Sequence, residues 1–293
     1  MKVMTKAPAK INLFLHIIGL RPDGFHEIES VFVPLELHDI VTVEVSPIPG
    51  VIIECPGFPE IENKSNLVYK ALSRILDLSK NSGPPGFKST ILKKIPICAG
   101  LGGGSSDAAA ALLAANRLLS RPVEKQSLLE IALDIGSDVP FFLGSGPAWV
   151  RGRGEIIEPV LDLPKLPLVL IKPTAGMSTK QAYSMWDEHS HFNNIKGLTY
   201  THHSASKPAF NGNVAQVANL LCNDLEVATA RCFDSVALSI GKLLDAGAMA
   251  AAMSGSGPTV FGLFASAAEA QEVGVRLSRG TDSWIVVTRS LNH

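Results

Sequence analysis

Apolar positions change their spacing along the chain, and each change marks a predicted element. Over residues 2–55 the period is two: Ile11, Leu13 and Leu15 alternate with Asn12, Phe14 and His16, and 40–45 is rich in β-branched residues. Alternation of this kind places successive side chains on opposite faces of a strand and predicts an antiparallel start. From 67 the period lengthens, and Leu67, Ala71, Leu72, Ile75 and Leu76 share one helical face, with Ser65 or Asn66 placed to cap it and 83–86 to break it. A strand over 88–95 leads into a glycine loop and an alanine-rich helix over 107–119 of high intrinsic propensity. A second helix follows over 124–135, then a tight turn at 136–142 entering an apolar strand, then a glycine-rich connection ending near 154.

The second half reads as strand 168–171, helix 179–186, helices across 214–246, strands 248–253 and 259–264, helix 267–277 and strand 284–288. This is an α+β order, and the length favours two domains, predicted at 1–155 and 156–293. Residues 187–213 are polar, rich in His, Ser and Asn, and nearly aperiodic, which predicts a mobile loop or flap.

Charge narrows the partners. The 293 residues carry a formal net charge of -1 with only 18% charged residues, so no global field draws the protein to nucleic acid or to an acidic membrane. No apolar stretch approaches the roughly 20 residues of a spanning helix, and the periodic pattern begins almost at Met1 with no room for a signal peptide. A cytoplasmic protein with a small-molecule ligand is expected. Cys55, Cys98, Cys222 and Cys232 have neither zinc-site pairing nor the density of a disulfide scaffold, and are read as free thiols.

Three segments concentrate candidate chemistry. Pro96-Ile97-Cys98-Ala99-Gly100-Leu101-Gly102-Gly103-Gly104-Ser105-Ser106-Asp107 lies between a strand and a strong helix, where backbone amides converge on an anion. Its glycines permit positive φ and remove Cβ bulk, the helix start adds partial positive charge, and Ser105 and Ser106 offer hydroxyls to a phosphate or a metal. The spacing fits neither a P-loop nor a dinucleotide fingerprint. Lys10 and Asn12 lie two apart and so share one strand face; Lys10 is either an edge-strand charge that deters aggregation or a cation of a site. Asp138 occupies the turn 136–142, either as a turn cap or as a base for a hydroxyl nucleophile. Ser254-Gly255-Ser256-Gly257 is a second glycine loop, open to a hairpin role or to close packing against the first loop or a substrate. His202-His203, and His189 with His191, lack the carboxylate or cysteine partners of a metal site, and none is expected there.

Pro8-Ala9-Lys10-Ile11-Asn12-Leu13, the 96–107 loop and Ser254-Gly255-Ser256-Gly257 together resemble the three ordered motifs of the GHMP kinase superfamily. Gly19-Leu20-Arg21-Pro22-Asp23-Gly24-Phe25-His26-Glu27 and Gly136-Ser137-Asp138-Val139-Pro140-Phe141-Phe142 narrow the likeness to a branch acting on a cytidine-diphosphate-linked polyol. The resemblance implies a two-domain fold, the first domain like the second domain of ribosomal protein S5 and the second ferredoxin-like. It implies transfer of the terminal phosphoryl group of ATP, with Mg2+, to a tertiary 2-hydroxyl on the non-mevalonate route to isoprenoid precursors. Asp138 matches the base, Lys10 its partner, and Pro96 to Ser106 the triphosphate cradle, with Asn66 and Lys94 near the nucleotide. Asn12, Phe25, His26, Phe32 and Tyr183 match substrate-binding positions. Rival readings are a GHMP kinase acting on mevalonate or homoserine, and a catalytically silent sensor of the same fold.

Overall fold

The structure is a computed structural model that describes residues 1–79, 83–174, 177–192 and 207–292. It contains two compact units that interleave in sequence: Met1–Ala9, Leu37–Ile97 and Gly102–Ser145 form one, and Lys10–Glu36, Cys98–Leu101 and Gly146–His293 the other. The cause is the length of the first two strands, β1 (Lys2–Leu20) and β2 (His26–Ser46), each of which contributes to both units.

In the first unit β3 (Gly50–Glu54), α1 (Leu67–Leu78), β4 (Gly86–Leu92), α2 (Gly103–Leu118) and α3 (Lys125–Ile135) follow in order. The strand order is β3-β4-β2-β1, with β3 parallel and β2 antiparallel to β4. Helix α1 buries Ala71, Leu72 and Ile75 of the predicted face together with Val68, which was not predicted, while Leu67 and Leu76 are half-buried, and it packs on α2 and α3. Asn66, not Ser65, caps it: its Oδ1 accepts from the Val68 amide at 2.9 Å. Helix α2 buries Ala108 to Ala111, Ala114 and Ala115, because side chains this small let neighbouring elements approach on several sides at little entropic cost. It starts at Gly103 rather than at 107; glycine's poor helix propensity hides a first turn that the left-handed Gly102 (φ 68°) initiates. The turn at 136–139 leads into a 3-10 turn, Pro140–Leu143, instead of the predicted strand. Proline at its start fixes a helical φ and withholds the amide a strand would need.

The second unit holds β5 (Ala148–Gly152), β6 (Ile156–Pro159), β7 (Pro167–Lys172), α4 (Thr179–Phe192), α5 (Val214–Ala218), β8 (Cys222–Asn223), α6 (Asp224–Cys232), α7 (Asp234–Asp245), β9 (Ala250–Met253), β10 (Val260–Leu263), α8 (Ala267–Leu277) and β11 (Trp284–Arg289). Strands β7, β9, β10 and β11 form an antiparallel sheet of order β11-β7-β10-β9, which with the intervening helices is the expected ferredoxin-like arrangement. Its core includes Val169, Ile171, Leu225, Val236, Leu243, Met253, Val260 and Phe264. Strand β5, paired with β2 and β6, and β8, parallel to β1, belong to the same seven-stranded sheet as β3-β4-β2-β1. Strands β5 and β6 replace the predicted glycine-rich connection; Gly152 ends β5 opposite Ile28 while the other glycines flank the strands, and pairing with β2 decides the conformation. Helix α4 continues to Phe192 through polar residues that carry no apolar stripe. Residues 193–206 of the predicted flap, with His202 and His203, lie outside the described residues. Among the described residues no helix is long and apolar enough to cross a membrane.

Candidate active site

Strand β1 is an interior strand of its sheet, and around Lys10 it is buried on both faces. Lys10 is 4% and Asn12 1% exposed, which rules out the edge-strand reading of the lysine. Burial of an ammonium requires groups that orient it. Lys10 Nζ donates to Asn12 Oδ1 at 2.7 Å and lies 4.3 Å from the centre of the Phe32 ring. Asn12 Nδ2 donates in turn to Ser30 Oγ at 2.8 Å, and Ser30 donates to the Phe14 carbonyl. The chain of bonds runs from β1 to β2 and back, fixing both the amide orientation and the lysine head.

The two glycine loops meet beside this pair. The Leu101 carbonyl accepts from the Lys10 amide at 2.9 Å, and Ser254 Oγ donates to the Gly100 carbonyl at 3.0 Å. A Cβ at Gly100 (φ 73°) would fall 2.3 Å from the Ser254 carbonyl oxygen, so only glycine permits the approach. At Gly255 (φ 54°) a Cβ would stand 3.2 Å from both Lys10 Nζ and Asn12 Oδ1. The β9–β10 loop is thus a hairpin connection and also a wall against the lysine, both of the readings left open for it.

What holds that wall is a segment sequence reasoning passed over, Asn223-Asp224-Leu225-Glu226. Asn223 Nδ2 donates to the carbonyls of Met253 and Gly255, at 2.8 Å each, while its Oδ1 caps α6 through the Leu225 amide. Asp224 accepts from the Ile17 amide at 2.7 Å and Glu226 from the Met253 amide at 2.7 Å. Burial raises the Glu226 pKa, opposed by that amide. An N-cap Asn with Glu three residues on is a helix-start signature that was available in the sequence.

In the first unit the helical part of the glycine loop opens α2. The first-turn amides of Gly103, Gly104 and Ser105 have no acceptor within a helix, and Gly104 has no heavy atom within 4 Å of a built Cβ, so the backbone there is open to a ligand. Behind it, buried, Lys93 Nζ contacts Asp39 Oδ2 at 2.5 Å and Asp107 Oδ2 at 2.7 Å. Asp39 Oδ1 also accepts from the amides of Lys94 and Ile95. Burial pushes the Asp107 carboxyl up to about 7; Lys93 pulls it down and Asp39 pushes it further up. Lys93 is lowered by burial, but Asp107 and then Asp39 outweigh this and raise it. The Ser106 hydroxyl and Asp107 Oδ1 are buried without a hydrogen-bond partner among the described residues. Lys94 is exposed, and both ends of the Asn66 amide are engaged, Oδ1 on the α1 cap and Nδ2 donating to the Ile61 carbonyl of the preceding turn at 2.9 Å. Asp138 is half-buried in the 136–139 turn, which the Val139 amide closes onto the Gly136 carbonyl at 3.1 Å.

Of the positions matched to substrate, the second unit groups His26 with Tyr183. Their rings stack at 4.8 Å, Trp186 meets His26 edge-on at 5.6 Å, and His26 Nε2 pairs with Asp187 Oδ1 at 2.8 Å. Trp186 and Asp187 were not anticipated. Phe25 is exposed, with the Arg153 guanidinium 5.0 Å from its ring, and Arg21, bonded to Glu27 at 2.8 Å, braces the loop that carries it. Among the described residues no group of three His, Cys, Asp or Glu side chains has metal-site geometry.

Residues 66–146 match the model of the GHMP kinases N terminal domain, and 206–281 that of the GHMP kinases C terminal domain. The 4-diphosphocytidyl-2-C-methyl-D-erythritol kinase of Pelotomaculum thermopropionicum is 41% identical over 294 residues, covering 100% of this chain and 99% of that protein. The enzyme of the same name from Geobacter metallireducens is 36% identical over 99% of this chain and 100% of its own. A crystal structure of 4-(cytidine 5'-diphospho)-2C-methyl-D-erythritol kinase superposes with a TM-score of 0.76 at 31% identity, covering 99% of this chain and 100% of that one. A homoserine kinase from Cytophaga hutchinsonii shares the fold, with a TM-score of 0.71 at 22% identity. Matched along its whole length, with both domain signatures and an α+β fold to suit, the chain belongs to the 4-diphosphocytidyl-2-C-methyl-D-erythritol kinase family of GHMP kinases.

Proposed function

We propose that this kinase transfers the terminal phosphoryl group of ATP to the 2-hydroxyl of 4-diphosphocytidyl-2-C-methyl-D-erythritol, in the non-mevalonate route to isoprenoid precursors. The observation that carries the reading is the buried Lys10–Asn12 pair, walled by the Gly255 loop, in a chain that matches such enzymes end to end.

Phosphoryl transfer asks a protein mainly for positioning and charge neutralisation. Asp138 takes the proton of the 2-hydroxyl as its oxygen attacks the terminal phosphorus, and Lys10 steadies the negative charge on that oxygen. The segment Pro96 to Ser106 cradles the triphosphate, with the open amides of Gly103, Gly104 and Ser105 as donors. The nucleotide extends toward Asn66 and Lys94. His26 reads the cytosine edge, with Phe25 and Tyr183 supplying ring faces and Phe32 and Asn12 orienting the polyol. Mg2+ suits the oxygen donors at the start of α2, where the buried Ser106 hydroxyl and Asp107 Oδ1 have no hydrogen-bond partner among the described residues, and would neutralise phosphate charge there. An ATP-binding domain over 1–155 and a C-terminal substrate domain over 156–293 form a division distinct from the compact units, with Asn12, Phe25, His26 and Phe32 of the first domain also facing the substrate. The enzyme works in the cytoplasm as a monomer or homodimer.

The test is ADP release measured with 4-diphosphocytidyl-methylerythritol, mevalonate and homoserine at equal concentration, with Mg2+ and with the metal chelated. Metal-dependent turnover of the cytidine compound alone is expected. Turnover of another alcohol discards the substrate, and ATP binding without turnover of any discards the kinase.

A further inference from the structure

Beside the loop anchor just described stands a second constellation, which phosphoryl transfer does not use. His16 on β1 faces the junction of β8 and α6. Its Nε2 is 3.6 Å from Cys222 Sγ and its Nδ1 is 3.5 Å from Asp224 Oδ1. The parallel bridge that aligns Phe14 with Cys222 and Leu15 with Asn223 fixes this register. Asp224 is held by its other oxygen on the Ile17 amide at 2.7 Å, and the imidazole is tilted against the Phe14 ring at 5.3 Å. A thiol, an imidazole and a carboxylate orienting that imidazole are the parts of an activated cysteine nucleophile. Among the described residues the other cysteines differ: Cys98 and Cys232 are exposed without such partners, and Cys55 is buried, its thiol pushed up to about 11 by that burial.

We infer that Cys222 is a modification site, a nucleophilic thiol that His16 and Asp224 equip to react with hydrogen peroxide. The hydrogen bonds to Asp224 and then Cys222 outweigh burial and raise the His16 pKa to about 10, so the imidazole carries a proton at neutral pH. The Cys222 thiolate sulfur attacks one peroxide oxygen and the O–O bond breaks. The leaving hydroxide takes the Nε2 proton of His16 and departs as water. Sulfur is oxidised by two electrons to the sulfenic acid, and the peroxide is reduced by two. Only a half-buried thiol is needed, and Cys222 is one.

The experiment treats the folded full-length protein with hydrogen peroxide at neutral pH, traps sulfenic acid with dimedone and maps it by peptide mass spectrometry. With the His16 imidazole beside the sulfur to protonate the leaving hydroxide, Cys222 is expected to label on the order of tenfold faster than Cys98 or Cys232 despite their greater exposure. In His16→Phe, and in His16→Gln should the first variant fold poorly, the rate is expected to fall to that of the exposed cysteines. Equal labelling of the three cysteines, or Cys222 labelling unchanged in a folded His16 variant, would overturn the inference. Neither readout depends on kinase activity.

Discussion

Two buried lysines show how the same side chain serves two ends. Lys93 lies against Asp39 and Asp107, and a cation flanked by two carboxylates is a structural tie whose charge is matched where it stands. Lys10 contacts an amide oxygen and the face of an aromatic ring, groups that fix the position of an ammonium. The polar supports differ as well. Asn12 passes its bond on to Ser30 and the Phe14 carbonyl, whereas Ser106 Oγ and Asp107 Oδ1 have no hydrogen-bond partner among the described residues. The lesson is that burial of a lysine does not itself mark a catalytic group; the chemistry of its neighbours does.

The contrast can be broken by exchanging each head for an isosteric apolar one. Lys93→Met leaves two buried carboxylates facing each other and is expected to cost about 3–5 kcal/mol of stability, read as a lower midpoint in urea. Lys10→Met keeps the stem over Phe32 and is expected to lower kcat roughly 10²–10³-fold with a much smaller shift in that midpoint. Equal stability losses in the two variants would erase the distinction. His26→Ala is a smaller perturbation: if His26 reads the base, the KM for the cytidine substrate should rise about tenfold at nearly constant kcat and ATP affinity.

The smallest effect is a pH dependence in the Lys93 cluster. Asp107 has its folded pKa raised to about 7, above the ordinary unfolded value near 4. Its protonated form is therefore favoured by folding, and the stability this lends is present below about pH 4 and lost as pH rises through about 7. Asp107→Asn cannot ionise. The difference in unfolding free energy between variant and wild type should shift in the variant's favour across that window, and a pH-independent difference would place the charge burden elsewhere.

Local pattern made much of this legible. The glycine loops, the α1 face and the pairing of Lys10 with Asn12 follow from spacing alone, because each depends on neighbours in sequence. What stayed hidden depends on distant partners. Strand β5 is short and flanked by glycines, and becomes a strand only through β2. Asp39, Lys93 and Asp107 come from β2, the β4 exit and α2, and no local periodicity joins them. The Asn223 to Glu226 cap was readable as a helix start, but its grip on Met253 and Gly255 was not. The Lys10 edge reading failed because alternation reveals one face of a strand and says nothing of whether the other face is covered.

The most direct test of the assignment is Asp138→Asn, with kcat and ATP affinity measured on the same preparation. If Asp138 is the base, kcat falls by roughly 10²–10⁴-fold while ATP binds as before. A kcat near that of the wild type would contradict it and move the proton transfer to another group.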